Sequence, residues 1–422
     1  MNNLLVGNAM VGQSGGPTAA INATLSGVIR GVLANQSQIQ QLFGLRNGLE
    51  GLLEQRWICL TEQFKENDDL KLLEQTPAAA LGSCRKRLPD PDSDSVADVA
   101  IYERIFSIFA EQNIRYFFYI GGNDSMDTVD KLNRYAKKCG YEMCVVGVPK
   151  TIDNDLPLTD HTPGFGSAAK FIATVMQEII RDCAVYTKPA VTIVELMGRD
   201  AGWLTASSAI GRVVNGVEPD LVYLPERTFD FERFFAKIEE CLEKHPNVVV
   251  AVSEGLQLVD GRFVGEGQQS GATDVFGHKY LSGTGKALEL AVKERFGCKV
   301  RSVELNLPQR CAGHLLSLTD IEESVCVGKA AVDAATQGKS GVMMVFYRED
   351  SAEYRCTIGY EDISKIANQS RYVPDEFITD DGAHVTDDCC KYLLPLIQGE
   401  CEILYKNGLP VHWIAEGKNV NV

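Results

Sequence analysis

Five times along the chain a short, near-continuous apolar run gives way to a polar or glycine-rich turn and then to a helical pattern. Leu4–Val11 precedes Gln13-Ser14-Gly15-Gly16, and Ile114–Ile120 precedes Gly121-Gly122-Asn123-Asp124-Ser125. Met143–Val148 leads into Pro149-Lys150-Thr151-Ile152-Asp153-Asn154-Asp155, Val191–Leu196 into Met197-Gly198-Arg199-Asp200, and Val248–Val252 into Ser253-Glu254-Gly255. Runs that are apolar at successive positions suit strands covered on both faces. Strands alternating with helices form mostly parallel sheets, so the pattern predicts a doubly wound α/β architecture. Ligands of such sheets sit beyond the carboxyl ends of the strands, and all five polar clusters fall there. A further strand is expected at Leu221–Leu224, after a connector that starts at Gly216. The polar stretch Leu60–Asp94 reads as surface decoration, and no motif is legible beyond about Glu349.

Composition narrows the class. The chain has 422 residues, 45% hydrophobic and 23% charged, enough for two lobes with a substantial core. No apolar run reaches transmembrane length. The start, Met1-Asn2-Asn3-Leu4, lacks the basic segment and cleavage site of an export signal, so a cytoplasmic protein is expected. The thirteen cysteines are scattered singly apart from Cys389-Cys390, and no CxxC occurs, which favours reduced, mostly buried thiols over disulfides or a zinc site. The net charge of −16 argues against nucleic acid or an anionic membrane as partner. An acidic chain can still bind a polyanion through local features: a few Lys and Arg, helix N-termini, or a divalent cation.

Each cluster has a chemical reading and a structural one. Gly15 and Gly16 let backbone N–H groups approach an anion, though a Gly-Gly turn is often only a turn. In Gly121–Ser125 the backbone can meet a phosphate and Asn123 or Asp124 can offer oxygen to Mg²⁺; alternatively Asp124 or Ser125 simply caps a helix beginning near Met126. The 149–155 cluster is the densest. Asp153 and Asp155 suit a general base and a metal or substrate orienter, and Lys150 a phosphate counter-charge. Apolar Ile152 among polar neighbours points to a fixed conformation rather than a solvated acidic turn. Arg199 offers a fork to a phosphoryl group, or a surface salt bridge. Glu254 offers a carboxylate to sugar hydroxyls, or is a plain loop residue.

The sequences GGNDS, PKTIDND, MGRDAGW and SEG, in this order, resemble those of the phosphofructokinases, over the stretch from Val11 to about Gly328. The resemblance implies two doubly wound, Rossmann-like α/β lobes with mostly parallel sheets and the active site in the cleft between them. Residues 1–150 would form a phosphoryl-donor lobe and 151–422 a sugar-phosphate lobe, with the chain crossing between the two. It implies a Mg²⁺-dependent, reversible transfer of a phosphoryl group to the 1-hydroxyl of fructose 6-phosphate, in a homodimer or homotetramer. Asp153 matches the catalytic base, with Thr151, Ile152 and Asp155 beside it in the substrate and metal network. Met197, Gly198 and Arg199 match sugar-phosphate and transition-state contacts, Glu254 the carboxylate on sugar hydroxyls, and Arg310 an arginine on the sugar phosphate. Gly15 and Arg85 match donor-side positions, and Asn123 stands at the family's metal-binding position.

Two residues bear on the donor. ATP-using members have Gly where Asp124 stands, and a carboxylate there would crowd and repel the nucleotide's α-phosphate. Many also have Gly where Lys150 stands, whose ammonium suits pyrophosphate. Pyrophosphate is therefore the expected donor and ATP the alternative. Three departures concern metal and sugar. Asn123 replaces the usual Asp, leaving Asp124, the Asp153/Asp155 pair or pyrophosphate to hold the metal. Ala190 replaces an Arg that a neighbouring subunit often supplies, with Lys188 nearby. A second Arg beyond Arg310 is missing, with His314 as a substitute or merely a structural residue. Sedoheptulose 7-phosphate thus stays open as a further acceptor. TIDND together with MGR speaks against a related nucleotide or lipid kinase, and the presence of Asp153 and Arg199 against a non-catalytic regulatory subunit.

Overall fold

The structure is a computed structural model, and it describes residues 5–64, 67–266, 283–351 and 353–415. Met1–Leu4, read above for an export signal, lie outside the described residues. Eleven strands build two sheets: β1 (Gly7–Gln13), β2 (Ile39–Leu45), β3 (Trp57–Cys59), β4 (Ile114–Gly121), β5 (Cys144–Pro149), β6 (Ala190–Leu196), β7 (Leu221–Tyr223), β8 (Asn247–Ser253), β9 (Lys299–Glu304), β10 (Val342–Arg348) and β11 (Cys356–Asp362). The first sheet runs β11-β10-β5-β4-β1-β2-β3, parallel except for its two edge strands, β11 and β3. The second runs β7-β8-β6-β9 and is parallel throughout.

The apolar runs are explained by two-sided burial. Along β4, Tyr116, Phe118 and Ile120 join one core, while Ile114, Phe117 and Tyr119 join another on the opposite face. Along β8, Val248, Val250 and Val252 face one layer and Val249 and Ala251 the other. Side chains alternate with a period of two, so a strand roofed on both sides must be apolar at nearly every position.

The chain visits each lobe more than once, and a single cut at residue 150 does not follow the sheets. Helix Leu318–Thr336 packs on helix Ile21–Ala34 in the first lobe, and β10 pairs with β5. Gly27 and Gly328 make the helix contact possible. A Cβ on Gly27 would collide with the carbonyl oxygen of Val325, and one on Gly328 with that of Thr24. Residues 318–366 thus complete the first sheet and its cover, although the sequence division assigned them to the other lobe. Ile378, Val385, Cys389 and Leu393 then return to the core of the second lobe.

The stretch 60–94 is more than decoration. Leu70, Leu73, Leu81 and Leu88 are buried, and Asn22 and Gln13 fasten the segment to the end of β1. Asn22 Nδ2 donates to Thr76 O at 2.8 Å, and the Leu81 N–H donates to Gln13 Oε1 at 3.0 Å. Buried amides on the strand end and helix start carry that attachment, and hydrophobic patterning does not register them.

Candidate active site

The carboxyl ends of β1, β4, β5, β6 and β8 all open on one cleft of about 450 Å³ between the two sheets. Every nominated site residue except Gly198 lines it, and Gly198 adjoins it through its N–H on Glu254 Oε1 at 3.3 Å. The first lobe contributes Gly15, Arg85, Asn123, Asp124 and Lys150, the loop after β5 contributes Thr151, Ile152, Asp153 and Asp155, and the second lobe contributes Met197, Arg199, Glu254 and Arg310.

The first-lobe side of the cleft is built from two loops laced together. The Gly15 N–H and Ser14 Oγ both donate to Cys84 O at 3.2 Å, and Ser83 Oγ donates to Gly15 O at 2.5 Å. This lacing delivers Arg85 to the cleft. A Cβ on Gly15 would stand 3.4 Å from Lys150 Nζ, and one on Gly16 3.2 Å from Arg310 Nη1. The bare backbone therefore lets two cations close in on the same space, and Gly15 also has φ +76°, where glycine carries no Cβ penalty. Lys150 is 3% exposed and donates to Gly16 O at 2.6 Å. Burial lowers its pKa to about 8, although Asp153 and Asp155 pull the other way. Burial likewise depresses Arg310, helped by the positive charge of Arg85. Cations held together in a desolvated cleft form a prepared anion site.

Opposite them lies the carboxylate loop. Asp153 Oδ2 accepts from Thr151 Oγ1 at 3.3 Å, and the Asp153 N–H donates to the same hydroxyl oxygen at 3.1 Å, a local turn that fixes the acid. Ile152 is buried in the core of the second lobe and anchors the turn, in line with its apolar character. Burial raises the pKa of Asp153 despite the opposing charge of Lys150. Burial and then the charge of Asp153 push Asp155 to about 7, and burial pushes Glu254 to about 8. The Met197 N–H donates to Gln309 Oε1 at 3.2 Å, tying the 197–199 turn to the Leu307–Arg310 helical turn that carries Arg310.

Several cleft residues escaped sequence reading. Arg87 lines the cleft and pairs with Asp124, Nη2 to Oδ1 at 2.7 Å, so the carboxylate expected to repel a nucleotide already has a guanidinium against it. Crowding by Asp124 remains, while its repulsion is partly offset. Asp200 and Thr18 line the cleft too, as do Asn368 and Ser370 from the stretch in which no motif was legible. Asn123 is engaged elsewhere than expected: its Oδ1 accepts from the Asn368 N–H and its Nδ2 donates to Gln369 O, both at 2.6 Å. Lys188 and Ala190 lie at the far end of β6, in a separate cavity of about 690 Å³.

Among the described residues, the His/Cys/Asp/Glu trio close enough to share one ion is His161, Glu323 and Cys356, outside the cleft. Both ring nitrogens of His161 are already occupied by carboxylates, Asp160 at 2.9 Å and Glu323 at 2.7 Å, so no lone pair is left for a metal. No helix among the described residues is long and apolar enough to cross a membrane.

The sequence profile of the family described as Phosphofructokinase matches residues 8–333. A relative from Halomonas elongata named pyrophosphate–fructose 6-phosphate 1-phosphotransferase is 40% identical over 96% of this chain and 94% of its own. One of the same name from Methylococcus capsulatus is 39% identical over 96% and 94%. A crystal structure of a pyrophosphate-dependent phosphofructokinase from Nitrosospira multiformis superposes with a TM-score of 0.86 at 36% identity, covering 97% of this chain and 96% of the other. With these matches and the two-lobed cleft together, the chain belongs to the phosphofructokinase family.

Proposed function

We propose that the protein transfers a phosphoryl group reversibly from pyrophosphate to the 1-hydroxyl of fructose 6-phosphate, giving fructose 1,6-bisphosphate and phosphate. The observation that carries the reading is the buried Lys150 ammonium, which faces Asp153 across a cleft whose donor end holds Asp124. The names of the relatives, at near full-length similarity, support it.

In this reading Asp153 takes the proton from the 1-hydroxyl as that oxygen attacks phosphorus. The turn with Thr151 aims the carboxylate, and burial raises its proton affinity toward the range a base needs. Lys150 and Arg199 neutralise charge on the transferring and leaving oxygens. Gly15, Gly16 and Arg85 receive the donor. Glu254 holds sugar hydroxyls, Met197 and Gly198 frame the sugar, and Arg310 binds its 6-phosphate. Phosphoryl transfer needs positioning and charge neutralisation more than covalent chemistry, and the cleft's cations meet that need.

The donor set suits Mg²⁺. Burial raises the proton affinity of both Asp153 and Asp155, the charge of Asp153 raises that of Asp155 further, and a dication bound by them would keep both ionised. Mg²⁺ commonly takes one or two carboxylates and completes its shell with substrate phosphates and water. When bound, it supplies further neutralisation of phosphate charge.

We further infer a cytoplasmic homo-oligomer. Lys188, at the opposite end of β6 from Met197, can serve a sugar phosphate only in a neighbouring subunit's cleft. The decisive experiment compares pyrophosphate with ATP as donor to fructose 6-phosphate in the presence of Mg²⁺. Bisphosphate formed with pyrophosphate is the expected result. Activity with ATP alone overturns the donor assignment.

A further inference from the structure

The stretch after β11 crosses the cleft between the lobes. At one end Asn123, the first residue of helix Asn123–Cys139, grips it by both ends of its side-chain amide, through the Asn368 N–H and Gln369 O. Asn368 sits at φ +62° and reaches Asp127 Oδ1 through its own Nδ2 at 3.2 Å. The Arg371 N–H then donates to Asp155 O at 2.7 Å, its guanidinium donates to Asp160 O and to Tyr392 Oη, and it lies 4.4 Å from the centre of the Trp203 ring. Last, the Val373 N–H donates to Glu226 Oε1 at 2.9 Å, the same oxygen that receives the Gly202 N–H at 2.8 Å. Asn368 and Ser370, between these anchors, line the cleft together with Asp124 and Arg87.

We propose that residues 368–370 form the wall that limits the donor site to a short polyphosphate, and that Asn123 is the positioning residue holding this wall rather than a metal ligand. An amide is what the two contacts require: one end must accept from an N–H and the other donate to a carbonyl. A carboxylate can do only the first. The cleft, about 450 Å³, is at the small end of the ~300–1,000 Å³ typical of a single small-molecule pocket, yet it has to take a sugar phosphate and a donor together. With the wall on one side and the Arg87–Asp124 pair beside it, little room remains for a nucleoside.

The proposal rests on the pyrophosphate reading, and the test separates the two. Wild type, Asn123→Asp, Asn123→Ala and Asn368→Gly are compared for KM and kcat with pyrophosphate and with tripolyphosphate, for KM of fructose 6-phosphate, and for half-saturating Mg²⁺. Asn123→Asp should raise KM for pyrophosphate about tenfold, leave KM for fructose 6-phosphate within about twofold, and fail to tighten Mg²⁺. A metal-ligand role predicts the opposite sign, since a carboxylate binds Mg²⁺ better than an amide. Asn123→Ala should bring kcat/KM for tripolyphosphate about tenfold closer to that for pyrophosphate. Asn368→Gly keeps the left-handed backbone and both Asn123 contacts but removes the tie to Asp127 and the side chain from the cleft lining, so it should move the same ratio in the same direction by less. Tighter Mg²⁺ in Asn123→Asp, or an unchanged donor ratio in folded Asn123→Ala and Asn368→Gly, overturns the wall. Wild type that ignores pyrophosphate overturns the functional reading instead.

Discussion

At the scale of single residues, the cleft assigns distinct tasks to groups that look alike in sequence. Asp153 and Asp155 are two positions apart, yet only Asp153 has a hydroxyl turn aiming it. If Asp153 is the base, Asp153→Asn should lower kcat by about 10²–10⁴-fold with little change in the KM of fructose 6-phosphate, measured by steady-state assay in both directions. A drop in sugar affinity with unchanged turnover would contradict the assignment. Lys150 gives a second expectation. Burial holds its pKa near 8, so kcat/KM for pyrophosphate should fall as pH rises through about 8, when the ammonium loses its proton. A flat profile from pH 7 to 9.5 would remove Lys150 from donor binding in the free enzyme. The motifs made these residues legible because they cluster at strand ends. Arg87 and Ser370 were not legible: Arg87 gains its meaning from Asp124 on another element, and Ser370 from the cleft it helps to line. The amide of Asn123 was visible as an oddity, but its partners, 245 and 246 residues away, were not.

At the scale of elements, helices and loops hold the cleft through contacts that can be tested one at a time. The loop that follows the acid cluster is clamped by His161. The ring stacks on Phe346 with centroids 4.6 Å apart and bridges Asp160 to Glu323 on helix Leu318–Thr336. Two acceptors on two ring nitrogens require both protons, so the ring is a cation. Burial alone would lower its pKa, but the bonds to Asp160 and Glu323 prevail and raise it to about 9. A raised folded-state pKa contributes stability that is complete below about 6.5, the ordinary value, and disappears as pH climbs through about 9. The loss should be on the order of 3 kcal/mol, at about 1.4 kcal/mol per pH unit. Lys150 contributes a slope of the opposite sign above pH 8, because its folded value is depressed. The readout is therefore the difference in urea unfolding between wild type and His161→Gln across pH 6.5–9.5. It should shrink with pH, and a constant difference would deny the imidazolium. The Gly27–Gly328 contact provides another measurement: Gly27→Val should destabilise by at least about 1–3 kcal/mol and lower Tm, because the helices must separate. Patterning anticipated β1 and β4 to β8, whose apolar runs leave few alternatives. It missed β9 and β11, each a mixture of exposed and half-buried residues, and also β2, β3 and β10, although β2 and β10 are largely buried.

At the scale of the whole molecule, an acidic protein gathers cations into a hollow that also holds the carboxylates of Asp124, Asp153, Asp155, Asp200 and Glu254. The net charge is −16, while Lys150, Arg85, Arg87, Arg199 and Arg310 all open on one cleft. A polyanion there is held by individual cations in a low-dielectric setting rather than by a net positive field. The two-lobed plan was legible from the family motifs, but the partition of the chain was not. Whether residues 318–366 cover the first sheet or the second depends on which helices fit face to face, and that is set by paired glycines and core volumes rather than by any local pattern.

This interleaving has a consequence for how the protein is made. The ribosome releases β5 some two hundred residues before β10, its partner in the sheet. Until then the nascent first lobe exposes the edge of a strand whose residues are all buried in the finished fold. An unpaired apolar edge invites pairing with other chains. Helix Ile21–Ala34 waits still longer for its cover, helix Leu318–Thr336. Nascent chains arrested before residue 342 should therefore be the species that holdase chaperones retain, and completion of β10 and β11 should release them.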